Sequence, residues 1–402
     1  MLQGVALINQ FSNLPPVLLA PLSAEQFFRD FWEQKPLHIS RPDYRHFASL
    51  LSIGEIETAL SCHPFSYPSV QLTRANQPVA IEDYTDSEQR IVLSQLTRHY
   101  QQGATIVLSS AHQVVATLNQ LTRNVQAALQ LRSQASVSLS PPGGKSFNAH
   151  FDSFDAFILQ ISGSSTFRLY GGGGELPFSE NLSNPQDVEV GNLTEEIQLN
   201  AGDTLYIPRG LIHDAVSDES HPSLHITLRV TALTLASLFQ KIVQLASEKN
   251  VRYRQSIESS EWHQTGDTSQ ATLQNTQQLF SEVFTSEIYT EALARLRDEI
   301  ALDTSQTCGG WLSAGHDTVI GQGTMVRLLT DQIISRENMD DKLVLRAAGR
   351  VVHIDHSVST GVAFLMKTGQ CMVSDITMLE PEPRLALVTR LYQEQLLILI
   401  DY

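Results

Sequence analysis

The chain has 402 residues, 42% hydrophobic and 17% charged, with 22 Gly and 16 Pro. At roughly 150 residues per domain this length predicts two or three globular domains, and the composition excludes a disordered or fibrous chain. Asp and Glu outnumber Lys and Arg 43 to 27, for a formal net charge of −16. That balance disfavours gripping phosphate backbones or anionic lipid and suits a basic protein partner.

Three widely spaced cysteines, Cys62, Cys308 and Cys371, predict reduced thiols in the cytoplasm rather than a disulfide framework. There is no signal-peptide pattern, and no run reaches the roughly 18 apolar residues of a membrane span. A cytoplasmic protein without membrane association is expected.

In chain order, Ser23 followed by Gln26 marks a capped helix start, with Phe27, Phe28, Phe31 and Trp32 on one face until Lys35-Pro36 stops it. Extended runs are predicted at Leu37–Ile39 and Ser69–Leu72, and a polar helix at Ser87–Tyr100. A buried strand follows at Gly103–Leu108, then an amphipathic helix at Gln113–Leu131. From Ala135 to Val230 short alternating runs are broken by Gly, Pro, Asn and Asp. Strands are predicted at Ser136–Ser140, Ala156–Ile161, Thr166–Tyr170, Glu195–Leu199, Thr204–Pro208 and Leu224–Val230, the pattern of a sandwich or barrel. Gly171–Gly174 and Gln255–Gln270 are expected as loops. Helical patterns then occupy Leu233–Glu248, Thr272–Phe284 and Ser286–Leu302. The last part carries extended runs at Thr324–Leu329, Lys342–Arg346, Val351–Ile354 and Gly361–Met366, then a helix around Pro383–Glu394.

The chemistry concentrates in the barrel-like segment. Pro141-Pro-Gly-Gly-Lys-Ser-Phe-Asn-Ala-His150-Phe-Asp152 presents a His-x-Asp pair, which an extended backbone points to one side. His213 comes sixty-one residues after Asp152, beyond a strand and a Pro-Arg-Gly turn. Two histidines and a carboxylate on one face of a metal leave positions open, the arrangement of non-haem Fe(II) oxygenases.

With these residues the sequence resembles the bacterial JmjC-type ribosomal oxygenases of the cupin superfamily. The resemblance rests on Phe31-Trp-Glu-Gln-Lys-Pro-Leu37, Gly103-Ala-Thr-Ile-Val-Leu108, His150-Phe-Asp-Ser-Phe-Asp-Ala-Phe-Ile-Leu-Gln160, Gly202–His213 and Ser223-Leu-His-Ile-Thr227. It implies a double-stranded β-helix (jelly-roll, cupin, JmjC) barrel with an N-terminal elaboration over residues 1–232. A helical dimerisation region over 233–312 and a winged-helix-like domain over 313–402 would follow. It implies Fe(II) on His150, Asp152 and His213, with 2-oxoglutarate and O2 as cosubstrates. The expected activity is hydroxylation of Arg or His side chains of ribosomal proteins by a homodimer.

One position departs from the family. The Lys or Arg that holds the distal carboxylate of 2-oxoglutarate, fifteen residues past the first histidine, is Ser165 here. A buried carboxylate needs a cation or several donors. Arg229, on the strand that follows His213 and with the parity of His225 and Thr227, is the favoured replacement, and Lys145 is the other. Arg168 has the parity opposite to Ser165 and points outward. The departure leaves two alternatives open: a metal-binding JmjC-like scaffold or sensor without 2-oxoglutarate turnover, and a divergent cupin oxygenase acting on a peptide or small molecule.

Gly144-Lys145-Ser146 lacks the earlier glycine of a phosphate-binding loop. His353 and His356 beside Asp355 read as a solvated turn. After Leu302 there are eight Lys or Arg against twelve Asp or Glu, the wrong balance for direct nucleic-acid binding.

Overall fold

The computed structural model describes residues 16–75, 79–177, 189–257, 270–304, 320–339 and 341–400. Ten strands build the first part: β1 (Leu37–Ile39), β2 (Val70–Thr73), β3 (Thr105–Leu108), β4 (Arg132–Ser140), β5 (Asp155–Ser162), β6 (Ser164–Gly173), β7 (Leu193–Asn200), β8 (Thr204–Ile207), β9 (Leu211–Ser217) and β10 (Ser223–Thr231). They form a seven-stranded sheet in the order β1-β8-β5-β10-β4-β3-β2 and a three-stranded sheet in the order β7-β6-β9. Every pairing in both sheets is antiparallel.

Side-chain parity assigns the faces. On β5 and β8, Ala156, Ile158, Leu205 and Ile207 meet Phe167, Leu169, Ile197 and Leu199 of the small sheet in the barrel interior. The opposite parity, Phe157, Leu159, Ile161 and Tyr206, joins an outer core with the flanking helices. Both faces of β5 are therefore apolar, as a strand covered on two sides requires. On β4 and β10 only the outer parity is apolar: Ala135, Val137, Leu139, Leu224, Ile226, Leu228 and Val230 are all buried in the outer core. Their inward parity is polar, and this opens a cavity.

The helices of the outer layer follow their sequence signals. Ser23 caps the helix Ala24–Asp30 by accepting the N–H of Gln26. The fully buried Phe27 packs against Phe157 and Tyr206 at ring distances of 5.5 and 4.8 Å, a burial that contributes about 3 kcal/mol. The helix Ala116–Leu129 covers the same layer.

Three expectations are corrected and one strand is added. The polar helix starts at Leu93 and not Ser87, because the Asp86 carboxylate accepts the N–H groups of Glu88 and Arg90 and holds that stretch in a turn. Gly171 to Gly173 end β6 rather than opening a loop. Gly173 has φ +100 and lies against the Gly210 carbonyl, where a Cβ would approach to 2.3 Å. Leu211–Ser217, beyond the Pro-Arg-Gly turn and outside the predicted strands, is β9. Gly361–Met366 lies inside the helix Ser359–Thr368. Its short apolar run carries no decisive period, and Gly361 lets Leu379 and Leu387 pack closely.

Beyond the barrel, the helices Leu235–Lys249, Gln270–Val283 and Ser286–Asp303 share a small core that includes Leu238, Ile242, Leu245, Val283 and Ala292. The last part has two three-stranded antiparallel sheets, β12-β13-β14 (Ile333–Met339, Lys342–Ala347, Arg350–Asp355) and β15-β11-β16 (Gln370–Met372, Met325–Leu328, Leu397–Leu399). The helices Ser359–Thr368 and Pro381–Gln393 complete its core. Arg346 of β13 is fully buried and binds Asp298 of the preceding helix at 2.6 Å and Glu337 at 2.8 Å. Among the described residues no helix is long and apolar enough to cross a membrane. Cys62 is exposed and free, Cys371 is buried and free, and Cys308 lies outside the described residues, as does most of Gln255–Gln270.

Candidate metal centre

His150 and Asp152 sit on the segment that leads into β5, and His213 sits in the middle of β9. The backbones of His150 and His213 exchange both hydrogen bonds, at 3.0 and 2.8 Å, so the two imidazoles are cross-strand neighbours with ring centroids 4.7 Å apart. The Gly210 N–H donates to the Asp152 carbonyl at 2.9 Å, which fixes the carboxylate's backbone against the turn before β9. Gly210 has φ +86, and a Cβ there would fall 1.9 Å from the Gly174 oxygen, so this turn requires glycine.

The ligand atoms of His150, Asp152 and His213 lie within 4.8 Å of one another, with His213 Nε2 3.7 Å from Asp152 Oδ2. Each histidine donates from Nδ1 to a carbonyl two residues earlier, His150 to Asn148 at 2.9 Å and His213 to Leu211 at 3.0 Å. A carbonyl can only accept, so both rings carry the proton on Nδ1 and present Nε2 to an ion. Burial, and then the neighbouring His150, push the pKa of His213 below its ordinary value against the pull of Asp152. A neutral imidazole is the form that binds metal. The donor set, tautomers and spacing thus fit a divalent transition metal on one facial triad. Among the described residues no other three His, Cys, Asp or Glu side chains lie this close.

The triad opens on a cavity of about 280 Å³. Its polar wall comes from two paired strands: Ser136 and Ser138 of β4 stand opposite Thr227 and His225 of β10, and Arg229 follows on the same face. Phe154, Ile158, Phe167 and Ala215 supply apolar surface, and Ser146, Phe147 and Asn148 border the approach to His150. The Arg229 guanidinium lies 4.3 Å over the Phe154 ring, and its buried Nε has no hydrogen-bond partner. His225 is buried with its Nδ1 unpartnered, and burial pushes its pKa down to about 4.

Residues 110–238 match the family model described as the JmjC domain. This segment is similar to a JmjC domain. The chain's fold extends beyond that segment: YcfD, a ribosomal oxygenase from Escherichia coli solved with cobalt and 2-oxoglutarate, superposes with a TM-score of 0.58 over 95% of this chain and 99% of that one, at 14% identity. The same protein with cobalt and succinic acid gives 0.59 at 13% identity. By sequence, the bifunctional lysine-specific demethylase and histidyl-hydroxylase NO66 of Drosophila persimilis is 30% identical over 235 residues, 58% of this chain and 34% of its own length. Ribosomal oxygenase 1 of Gallus gallus is 30% identical over 252 residues, 60% of this chain and 41% of its own length. The chain therefore spans well under half of these curated relatives.

Within this segment the remaining sequence candidates separate. Arg229, Thr227 and His225 line the cavity; Ser165 and Lys145 do not. Ser165 is buried at 4% exposure, its hydroxyl 2.7 Å from that of Ser223, which also accepts from Gln160 Nε2 at 2.8 Å. Lys145 turns away from the cavity to the buried Asp214 carboxylate at 2.5 Å. Arg168 points outward as expected and binds Glu196. Sequence reasoning missed Ser136, Ser138 and Phe154. Strand parity with His225 and Thr227 would have found the serines once the β4–β10 register was known.

Proposed function

We propose that this chain is an Fe(II)- and 2-oxoglutarate-dependent oxygenase that hydroxylates a side chain of a basic protein, a ribosomal protein being the favoured substrate. The observation that carries the reading is a metal-competent triad opening on the same cavity as an arginine that, among the described residues, has no carboxylate partner. His150, Asp152 and His213 would hold the iron. When bound, iron with 2-oxoglutarate and O2 supplies the oxidant that replaces a C–H hydrogen by hydroxyl and releases succinate and CO2.

The chain's own residues supply binding and orientation. Arg229 is suited to the distal carboxylate of 2-oxoglutarate, because its planar fork can give two parallel hydrogen bonds and its charge is not already spent. Thr227 and the neutral His225 stand beside it on β10 and add polar contacts without a competing negative charge. In this reading the cation has moved from β6 to β10, and Ser165 is replaced in function rather than missing. The acidic surface, net −16, favours encounter with a basic substrate.

The reading divides the chain into a catalytic unit at 1–232, a helical dimerisation unit at 233–312 and a winged-helix-like unit at 313–402, in a cytoplasmic homodimer. Leu235, Phe239 and Val243 recur every four residues along one helix and are 67%, 42% and 41% exposed. Phe284 packs against Phe239 at 5.5 Å and Phe280 at 4.9 Å beside this stripe. Such an apolar face suits a second copy of the chain.

The deciding experiment adds Fe(II) and 2-oxoglutarate anaerobically to the full chain, then admits air. A metal-to-ligand charge-transfer band followed by succinate is expected. A band without succinate in the presence of ribosomal proteins would favour the scaffold or sensor, and no band would remove 2-oxoglutarate from the reading.

A further inference from the structure

The segment that delivers His150 is held to β9 at its two ends only. At one end His150 pairs with His213; at the other Lys145 bridges Val216, and Ser217 donates its N–H to the Gly144 carbonyl at 3.0 Å. Between these points the segment takes five residue steps from Lys145 to His150 while β9 takes three from Val216 to His213. The two surplus residues bow the backbone out of the ladder. This bowed stretch carries Ser146, Phe147 and Asn148, which line the cavity, and the Asn148 carbonyl that orients His150.

The Ser217 hydroxyl of β9 donates to the Pro141 and Gly144 carbonyls, at 2.6 and 3.2 Å, where the segment begins, and an ion pair then spans the gap. Lys145 Nζ reaches Asp214 Oδ2 at 2.5 Å, and the Asp214 side chain is only 2% exposed. Asp214 follows His213, so strand alternation sends its carboxylate to the face opposite the metal ligand. The Tyr170 hydroxyl donates to the same oxygen at 3.3 Å, and Oδ1 has no partner. Arg168, opposite Asp214 in the β6–β9 register, gives its Nε to Glu196 instead.

We propose that Lys145 is a positioning residue for the metal centre: its ion pair with Asp214 clamps the bowed segment to β9 and sets the spacing of His150 and His213. The inference rests on the proposed metal-centre reading and adds a role for a lysine that the cavity does not use. Outer contacts that orient ligands typically change metal affinity by about 10- to 100-fold.

The test titrates Co(II) into the full chain and follows the visible d–d bands together with the dissociation constant. Lys145→Met should weaken Co(II) binding about tenfold or more and alter the band shape, while Lys145→Arg keeps most of the parent affinity. The double variant Lys145→Met with Asp214→Asn removes the stranded buried carboxylate and separates charge burial from positioning. If the pair positions the ligands, the double variant still binds Co(II) weakly. Parent-like affinity in the double variant, or in Lys145→Met alone, overturns the inference. A parent protein that holds no Co(II) overturns the metal-centre reading itself, and this inference with it.

Discussion

Asp155 begins β5, is completely buried, and accepts a 2.5 Å hydrogen bond from the Tyr206 hydroxyl. Arg209 lies 4.0 Å away but gives its closest contacts, 2.7 and 3.0 Å, to Glu33. Burial raises the Asp155 pKa from 3.8 to about 6; the Glu33 charge adds to the rise, and Tyr206 and Arg209 only partly offset it. At about 1.4 kcal/mol per pH unit that rise corresponds to about 3 kcal/mol. Below about pH 3 folded and unfolded chains both carry the proton and the group costs nothing. Between about pH 4 and 6 the unfolded chain releases its proton while the folded chain keeps it, so stability falls as pH rises and the loss is complete above pH 6. Asp155→Asn keeps an oxygen for Tyr206 and abolishes the titration. Relative to the parent, the variant should gain about 3 kcal/mol between about pH 3 and about pH 7.5. Trp32 stacks near Tyr206 with ring centroids 5.9 Å apart, so its fluorescence in urea, with Trp262 and Trp311 replaced by Phe, reports unfolding at this place. A difference between the two proteins that stays constant within about 0.5 kcal/mol across that range would refute the assignment of a buried, reluctant carboxyl.

Arg229→Ala should weaken 2-oxoglutarate binding by about 2 kcal/mol or more, the worth of a charge-assisted contact, and leave Co(II) affinity unchanged; calorimetry of each ligand checks it, and equal 2-oxoglutarate affinity rejects Arg229 as the anchor. Arg346→Ala takes the cation from Asp298, about one-third exposed, while Glu337 keeps Arg297 at 3.1 Å. It should cost about 3 kcal/mol in urea unfolding, the lower end for a broken buried ion pair. Phe239→Glu with Phe284→Glu should convert a species of twice the chain mass in light scattering into one of single mass; a parent protein already at single mass refutes the dimer.

The metal triad was legible because its information is local: His-x-Asp places two ligands by strand alternation, and Gly202–His213 brings the third with its turn glycine. β9 itself was not legible. Leu211-Ile-His-Asp-Ala-Val-Ser217 buries His213 and Asp214 on opposite faces, so the polar–apolar alternation that marks a half-exposed strand is absent. The glycines after Tyr170 read as a loop because their close approach to Gly191 and Gly210 comes from distant segments. Arg229 could be nominated by parity with His225 and Thr227, whereas the partner of Lys145 could not, since the bond to Asp214 depends on how the bowed segment lies on β9.

Buried hydrogen bonds link Gln160 to Ser223 and Ser223 to Ser165, and Ser165 shares the inward parity of Phe167, which lines the cavity. A long cation at position 165 would displace the Ser223 hydroxyl and add a second positive charge to a chamber that already holds Arg229. If Arg229 anchors the cosubstrate as proposed, the two anchor arrangements exclude each other, and positions 165 and 229 should be epistatic. Under that reading Ser165→Arg alone would meet crowding and like-charge repulsion, loss of Arg229 alone would leave no anchor, and only the paired exchange would convert one arrangement into the other.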